Sequence, residues 1–171
     1  MRLLILSLFI LGMYILQASF FTHLAVYGAR PDLITATVVA VGITAGPFEG
    51  MVSGILGGFI LDLLRGTFIG LSVPGKLLVG LMAGFIPKRV YVDSWWVPAV
   101  SAFVATLLDQ SFFLILGNSF GLDQPLWPSF RRLIIASGIY TATMAPLVIR
   151  GIRHLYGEFL NRGWFKEQRL L

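Results

Sequence analysis

Long apolar runs alternate along this chain with short charged or Gly/Pro-broken segments, and the runs are long enough to cross a bilayer. The first, "MRLLILSLFILGMYILQASFF", carries Arg2 as its one charge, and no further charge follows through Ala29. It predicts a transmembrane helix over about residues 3–22, retained because no A-x-A-like cleavage site closes it. "RPD" (Arg30, Pro31, Asp32) opens a second helix, with the proline at the first helical position and the acid in the first turn, facing the positive end of the helix dipole. That helix runs to Gly46. "GPFE" then ends one helix and begins another, with Pro47 at the new start and Glu49 in the first turn, over about residues 47–64. A broken turn, "RGTFIGLSVPGK", precedes a short fourth helix over about 73–86. "PKRVYVDSWW" returns the chain, with Trp95 and Trp96 at a membrane interface, into a fifth helix over about 95–116. The loop "GNSFGLDQPLWPSFRR" leads to a sixth helix over about 133–149 and then a basic tail. The pattern predicts an all-α membrane protein: a bundle of six transmembrane helices over residues 1–150, followed by a basic interfacial tail, 151–171.

Six spans put both ends on one side. Arg2, Lys88, Arg89, Arg150, Arg153, Arg162, Lys166 and Arg169 fall on that side; Arg30, Arg65, Lys76, Arg131 and Arg132 fall on the other. The excess places both termini in the cytoplasm.

Composition agrees with the pattern. The chain of 171 residues is 57% hydrophobic and 12% charged, where soluble domains are about a quarter charged. The absence of cysteine excludes disulfides and thiolate metal sites. The basic balance, 13 Lys and Arg against 8 Asp and Glu, does not point to nucleic acid, since no basic cluster is interleaved with stacking aromatics on a soluble face. Much of the charge lies in the tail, where anionic lipid headgroups account for it.

The third helix carries the most ordered pattern. In "GPFEGMVSGILGGFILDLLRG", Gly46, Gly50, Gly54 and Gly58 recur at every fourth position, and the same step reaches Asp62 and Gly66. Small residues at this spacing let helix backbones approach closely in lipid, where burying leucine against leucine gains little. The ridge serves internal packing, with Gly80 and Gly84 as a shorter counterpart, or the docking of another protein, and both hold if it has two neighbours.

Depth gives the charges a place. From Pro47, fifteen residues at about 1.5 Å each set Asp62 about 22 Å into a core of about 30 Å. Asp109 and Gln17 come to a similar depth, with Arg65 and Lys76 near the outer end. Gln17, Asp62, Arg65, Lys76 and Asp109 are therefore expected in one polar layer, the two acids paired with the two cations. An uncompensated charge at mid-bilayer costs about 2.5–3.5 kcal/mol on insertion scales. The layer either pins the bundle or lines a cavity or partner surface.

Two intramembrane aspartates suggest an aspartic-protease dyad, but cations in the same layer hold both acids ionised, which is wrong for a shared proton. No cofactor is expected: His23 and His154 lie far apart, so no metal site follows, and no Walker loop or dinucleotide fingerprint occurs. The tail has Ile152, Leu155, Tyr156, Phe159 and Leu160 at helical spacing, which fits an interfacial helix on anionic lipid or a cytoplasmic docking segment. The outer loop, with Phe120, Trp127 and Phe130, either lies on the bilayer surface or meets a partner there.

The combination of "RPDL" (30–33), "GMVSGILGGFILDLL" (50–64) and "GTFIGL" (66–71), in a chain of this length and span count, resembles the bacterial rod shape-determining protein MreD family. The resemblance implies a non-enzymatic inner-membrane member of the cell-elongation machinery. It would partner the single-pass protein MreC and, through it, the cytoskeletal filament and the peptidoglycan synthase pair. It also implies a fold akin to the six-helix substrate-binding subunits of energy-coupling-factor vitamin transporters, whose pockets open outward. The reading is a membrane scaffold that binds its partner through Gly46, Gly50, Gly54, Gly58 and Trp127, with a homodimer left open. The alternative is a small-molecule-binding subunit of an energy-coupling-factor-type transporter.

Overall fold

The computed structural model describes residues 2–21, 29–66, 68–87, 96–121 and 134–155. They form six helices: α1 (Arg2–Ser19), α2 (Leu33–Ala45), α3 (Pro47–Arg65), α4 (Val73–Gly84), α5 (Trp96–Ser119) and α6 (Ile135–Leu155). Trp95, Trp127, the basic pair Lys88 and Arg89, and the tail from residue 156 onward fall outside the described residues.

The centre of the bundle is α2. Leu33 to Ile43 are all buried, and each of the other five helices packs against it. Its sequence, "LITATVVAVGITA", has no polar face, as expected of a helix enclosed all round. Two of the hydroxyls it carries are satisfied locally: Thr37 Oγ1 donates to the Leu33 carbonyl at 2.8 Å and Thr44 Oγ1 to the Ala40 carbonyl at 2.6 Å. Such back-bonding suits a site without water.

Length divides the helices. By length and composition, α3, α5 and residues Ile135–His154 of α6 can cross a membrane, whereas Leu6–Ser19, α2 and α4 are shorter apolar helices. Thirteen residues of α2 span only about 20 Å at 1.5 Å each.

Helix boundaries follow local chemistry. Gly46 ends α2 with φ +111°, a conformation that favours glycine, and Pro47 opens α3. At the other end of α2, Pro31 lies outside the helix rather than at its first position. Asp32 is the N-cap, and its Oδ1 accepts from the Thr35 amide at 2.9 Å. A carboxylate that can satisfy an otherwise unpaired helical amide fixes the start there. The sixth helix runs past residue 150 to Leu155, and Ile152 within it is buried.

The glycine ridge faces inward. A Cβ at Gly50 would collide with the Gly80 carbonyl, one at Gly54 with the Lys76 carbonyl, and one at Gly58 would stand 2.7 Å from the Val73 Cα. From the other side, Gly80 meets Gly50, and Gly84 meets Pro47. Of the two uses open to the ridge, its geometry takes internal packing: α4 fills it, and these three glycines leave no open face for another protein. Gly46 stands apart from them, since nothing lies within 4 Å of its would-be Cβ. Its role is the turn.

Candidate functional site

Around the N-terminal half of α2 the sequence places few polar residues, and the fold gathers them. Lys76, in the first turns of α4, is fully buried. Its ammonium donates to Asp109 Oδ2 at 2.6 Å, Thr35 Oγ1 at 2.7 Å and Asp32 Oδ2 at 3.2 Å. Three N–H donors thus meet three acceptors, from α5, α2 and the cap of α2, which is the full capacity of a lysine. Thr35 Oγ1 also donates to Asp109 Oδ2 at 3.2 Å. Gly75 is what lets α5 come this close: a Cβ there would sit 2.8 Å from Asp109 Oδ1.

The electrostatics explain why the three charges occur together. A cation near a helix N-terminus is opposed by the dipole, and a lone charge in a bilayer is costly. Asp32 and Asp109 offset both effects for Lys76. Asp32 further accepts the Thr35 amide, so both of its carboxylate oxygens are engaged. Asp109 Oδ1 is buried without a hydrogen-bond partner.

A second set of bonds ties this cluster to the remaining helices. The Asp32 amide donates to Thr141 Oγ1 of α6 at 2.9 Å, and the Leu33 amide donates to Gln17 Oε1 of α1 at 3.0 Å. Ser137 of α6 donates to the Arg30 carbonyl at 2.7 Å and accepts from Gln110 Nε2 at 3.1 Å. The start of α2 is thereby held from α1, α4, α5 and α6.

The expected layer forms in part. Lys76 and Asp109 pair, and Gln17 joins the network. Asp62 does not pair with Arg65. Its Oδ2 instead accepts the amides of Gly70 and Ser72, each at 2.9 Å. The reason is local: the turn between α3 and α4 passes Gly66 (φ +64°) and Gly70 (φ +99°), and its amides need an acceptor away from water. Ser72, the N-cap of α4, makes no side-chain cap bond. Asp62 takes the amide of Ser72 from across the turn, with its charge favourably near the start of α4. Arg65 extends to the exposed side, its guanidinium carbon 5.9 Å from the centre of the Phe113 ring on α5.

Asp32, Thr35, Ser137 and Thr141 are members of this polar network that reading the sequence missed. For Asp32 a signal existed. It opens its helix from the same side as Lys76 opens α4, so the depth count applied to Asp62 would have placed the two together.

Beside the cluster lies a cavity of about 260 Å³ lined by polar groups, among them Gln17, Arg30, Asp32, Arg65, Gln110 and Ser137. Two larger cavities are apolar. One, of about 410 Å³, lies between α5 and α6 beside Trp96, Phe103 and Pro146; the other, of about 280 Å³, lies among α2, α4 and α5. Among the described residues no group of three His, Cys, Asp or Glu could hold a metal ion.

A family model described as rod shape-determining protein MreD matches residues 1–154. No curated protein and no solved structure matches the chain. The match spans all six helices but for the last residue of α6, together with the cluster around Lys76, and on it the chain belongs to the MreD family of rod shape-determining membrane proteins.

Proposed function

We propose that this chain is a non-enzymatic scaffold of the bacterial cell-elongation machinery, multi-pass in the inner (cytoplasmic) membrane with both termini cytoplasmic. It binds a MreC-like single-pass protein and helps to position the peptidoglycan synthase complex. Family membership supports the role in cell shape. The observation that carries the non-enzymatic reading is the saturation of Lys76. Its ammonium has no donor left for a substrate, and the two acids it binds are held as structural partners.

Because α4 occupies Gly50, Gly54 and Gly58, the partner is proposed to meet the outward faces of the bundle, with Trp127 in the outer loop. The basic tail meets anionic headgroups on the cytoplasmic side. Nothing in the comparisons supports the alternative of a transporter subunit.

Depletion in the native host tests the cellular role: rods should round up as the protein is lost, and re-expression should restore them. Affinity purification from that membrane should bring down a single-pass partner. Cells that stay rod-shaped after complete depletion would overturn the reading.

A further inference from the structure

We propose that the pocket between Arg30 and Arg65 binds an oxyanion of the phosphate class, carried by a phospholipid headgroup or by a free phosphate compound. The inference concerns a different part of the molecule from the partner contacts above and stands independently of them.

The two arginines supply the first argument. Both line the polar cavity, and both are exposed along it. Among the described residues neither guanidinium makes an ion pair, the ion pairs there being those of Lys76 with Asp32 and Asp109. The acids that could have neutralised them are otherwise engaged. Asp32 binds Lys76 and the Thr35 amide, and Asp62, three residues before Arg65, turns to the amides of Gly70 and Ser72. Two guanidiniums beside an apolar bundle, each with five N–H donors in a planar fork, match the geometry of a phosphate group.

The pocket wall supplies the second. Gln17 gives its carbonyl oxygen to the Leu33 amide, which leaves its NH₂ group as a donor, and Tyr14 adds a hydroxyl. Phe113 supports the Arg65 guanidinium from α5, so that less freedom is lost when the group binds. At about 260 Å³ the cavity lies below the range of about 300–1,000 Å³ typical of drug-sized ligands. It suits a headgroup fragment or a small phosphate ester. The other two cavities offer an anion almost nothing but hydrocarbon.

The test uses the full-length protein in detergent. Native mass spectrometry would titrate phosphatidylglycerol against phosphatidylcholine, and thermal melting would be followed with inorganic phosphate and glycerol 3-phosphate. Phosphatidylglycerol is expected to bind at least tenfold better than phosphatidylcholine if the source is lipid. Stabilisation by the free phosphates, with competition against the lipid, identifies a soluble source. Either way, Arg30→Gln and Arg65→Gln should each weaken binding about tenfold and the double variant about a hundredfold.

Two further variants keep the result interpretable. Ala18→Glu places a carboxylate on the exposed pocket wall, where it should block the probe while leaving the melting temperature intact. Arg150→Gln, an exposed arginine outside the pocket, should bind as the unaltered chain does. The proposal fails if neither phosphatidylglycerol nor a free phosphate binds better than zwitterionic phosphatidylcholine, whose phosphate is offset by its own ammonium, if the pocket variants bind like the parent, or if Arg150→Gln loses binding to the same degree.

Discussion

On one side α4 meets α3 backbone against backbone; on the other its charged link to α2 and α5 is a single ammonium. Along the first seam Gly50, Gly54 and Gly58 face Gly80, Lys76 and Val73 main-chain atoms, and a charge joins it only at its end, where Asp62 accepts the Ser72 amide. The second depends on Lys76 Nζ and its three acceptors. The seams therefore differ in what they tolerate. Excluded volume governs the glycine seam, so size matters there and polarity does not. Charge balance governs the lysine seam, where a side chain of equal length without the ammonium leaves two carboxylates buried together.

The largest effect should come from the charged side. Lys76→Met keeps the length and apolar stem but strands Asp32 and Asp109, and breaking a buried pair in this way costs about 3–5 kcal/mol. Unfolding by SDS titration in mixed micelles should show the midpoint collapse. Adding Asp32→Asn and Asp109→Asn should recover a good part of the loss, and a triple variant as unstable as Lys76→Met would mean that charge is not what this seam senses.

Next comes the glycine seam. Gly54→Leu forces a side chain onto the Lys76 carbonyl, and overpacking of this kind costs about 3 kcal/mol, at the upper end of its usual range. Cysteine crosslinking between α3 and α4 should fall with it, while Gly54→Ser should be nearly as harmful despite its polarity. A well-tolerated Gly54→Ser would break the contrast between the seams.

Smaller changes sharpen the same comparison. Thr35→Val removes one hydroxyl between Lys76 and Asp109 without altering the volume much, for a loss of about 1 kcal/mol by the same titration. Gly12→Ala serves as the control. It lies in α1 with nothing within 4 Å of a new Cβ, and glycine-to-alanine in a helix gains about 0.5–1 kcal/mol. A slight rise in midpoint is expected, and a clear fall would show that α1 is packed more tightly than its geometry says.

Much of the fold was legible because backbone chemistry marks it locally. Gly46 and Pro47 announce the break between α2 and α3, and the apolar runs locate the first five helices to within about three residues, while the sixth runs six residues past its expected end. The ridge at every fourth position was equally plain, and Gly80 and Gly84 hinted at its complement. What the sequence could not say was which helix would fill the ridge, because small residues permit close approach without choosing a partner.

The polar site was legible to a lesser degree. Depth counting brought Lys76 and Asp109 together correctly, since both sit inside helices whose rise is known. It misplaced the partner of Asp62. The spacing to Arg65 suggested an ion pair, but the buried amides of a tight turn claimed the carboxylate, and a demand of that kind arises only from the path of a loop in space. Asp32 was overlooked for the opposite reason. Its evident duty as a helix-starting acid concealed a second duty towards Lys76, and one carboxylate has two oxygens with which to serve both.

The central position of α2 has a consequence for how the molecule is made. A helix touched by all five others has no final environment until the last of them arrives. In synthesis Asp32 precedes Lys76, and Asp109 follows it by 33 positions. While the chain is still growing, Lys76 has only the acid behind it for company, and its shortest bond awaits α5. The order of the three along the chain thus leaves the bonding of Lys76 incomplete until α5 is made. A ribosome stalled after α4 should leave an intermediate that surveillance proteases clear quickly, and one stalled after α5 an intermediate that survives.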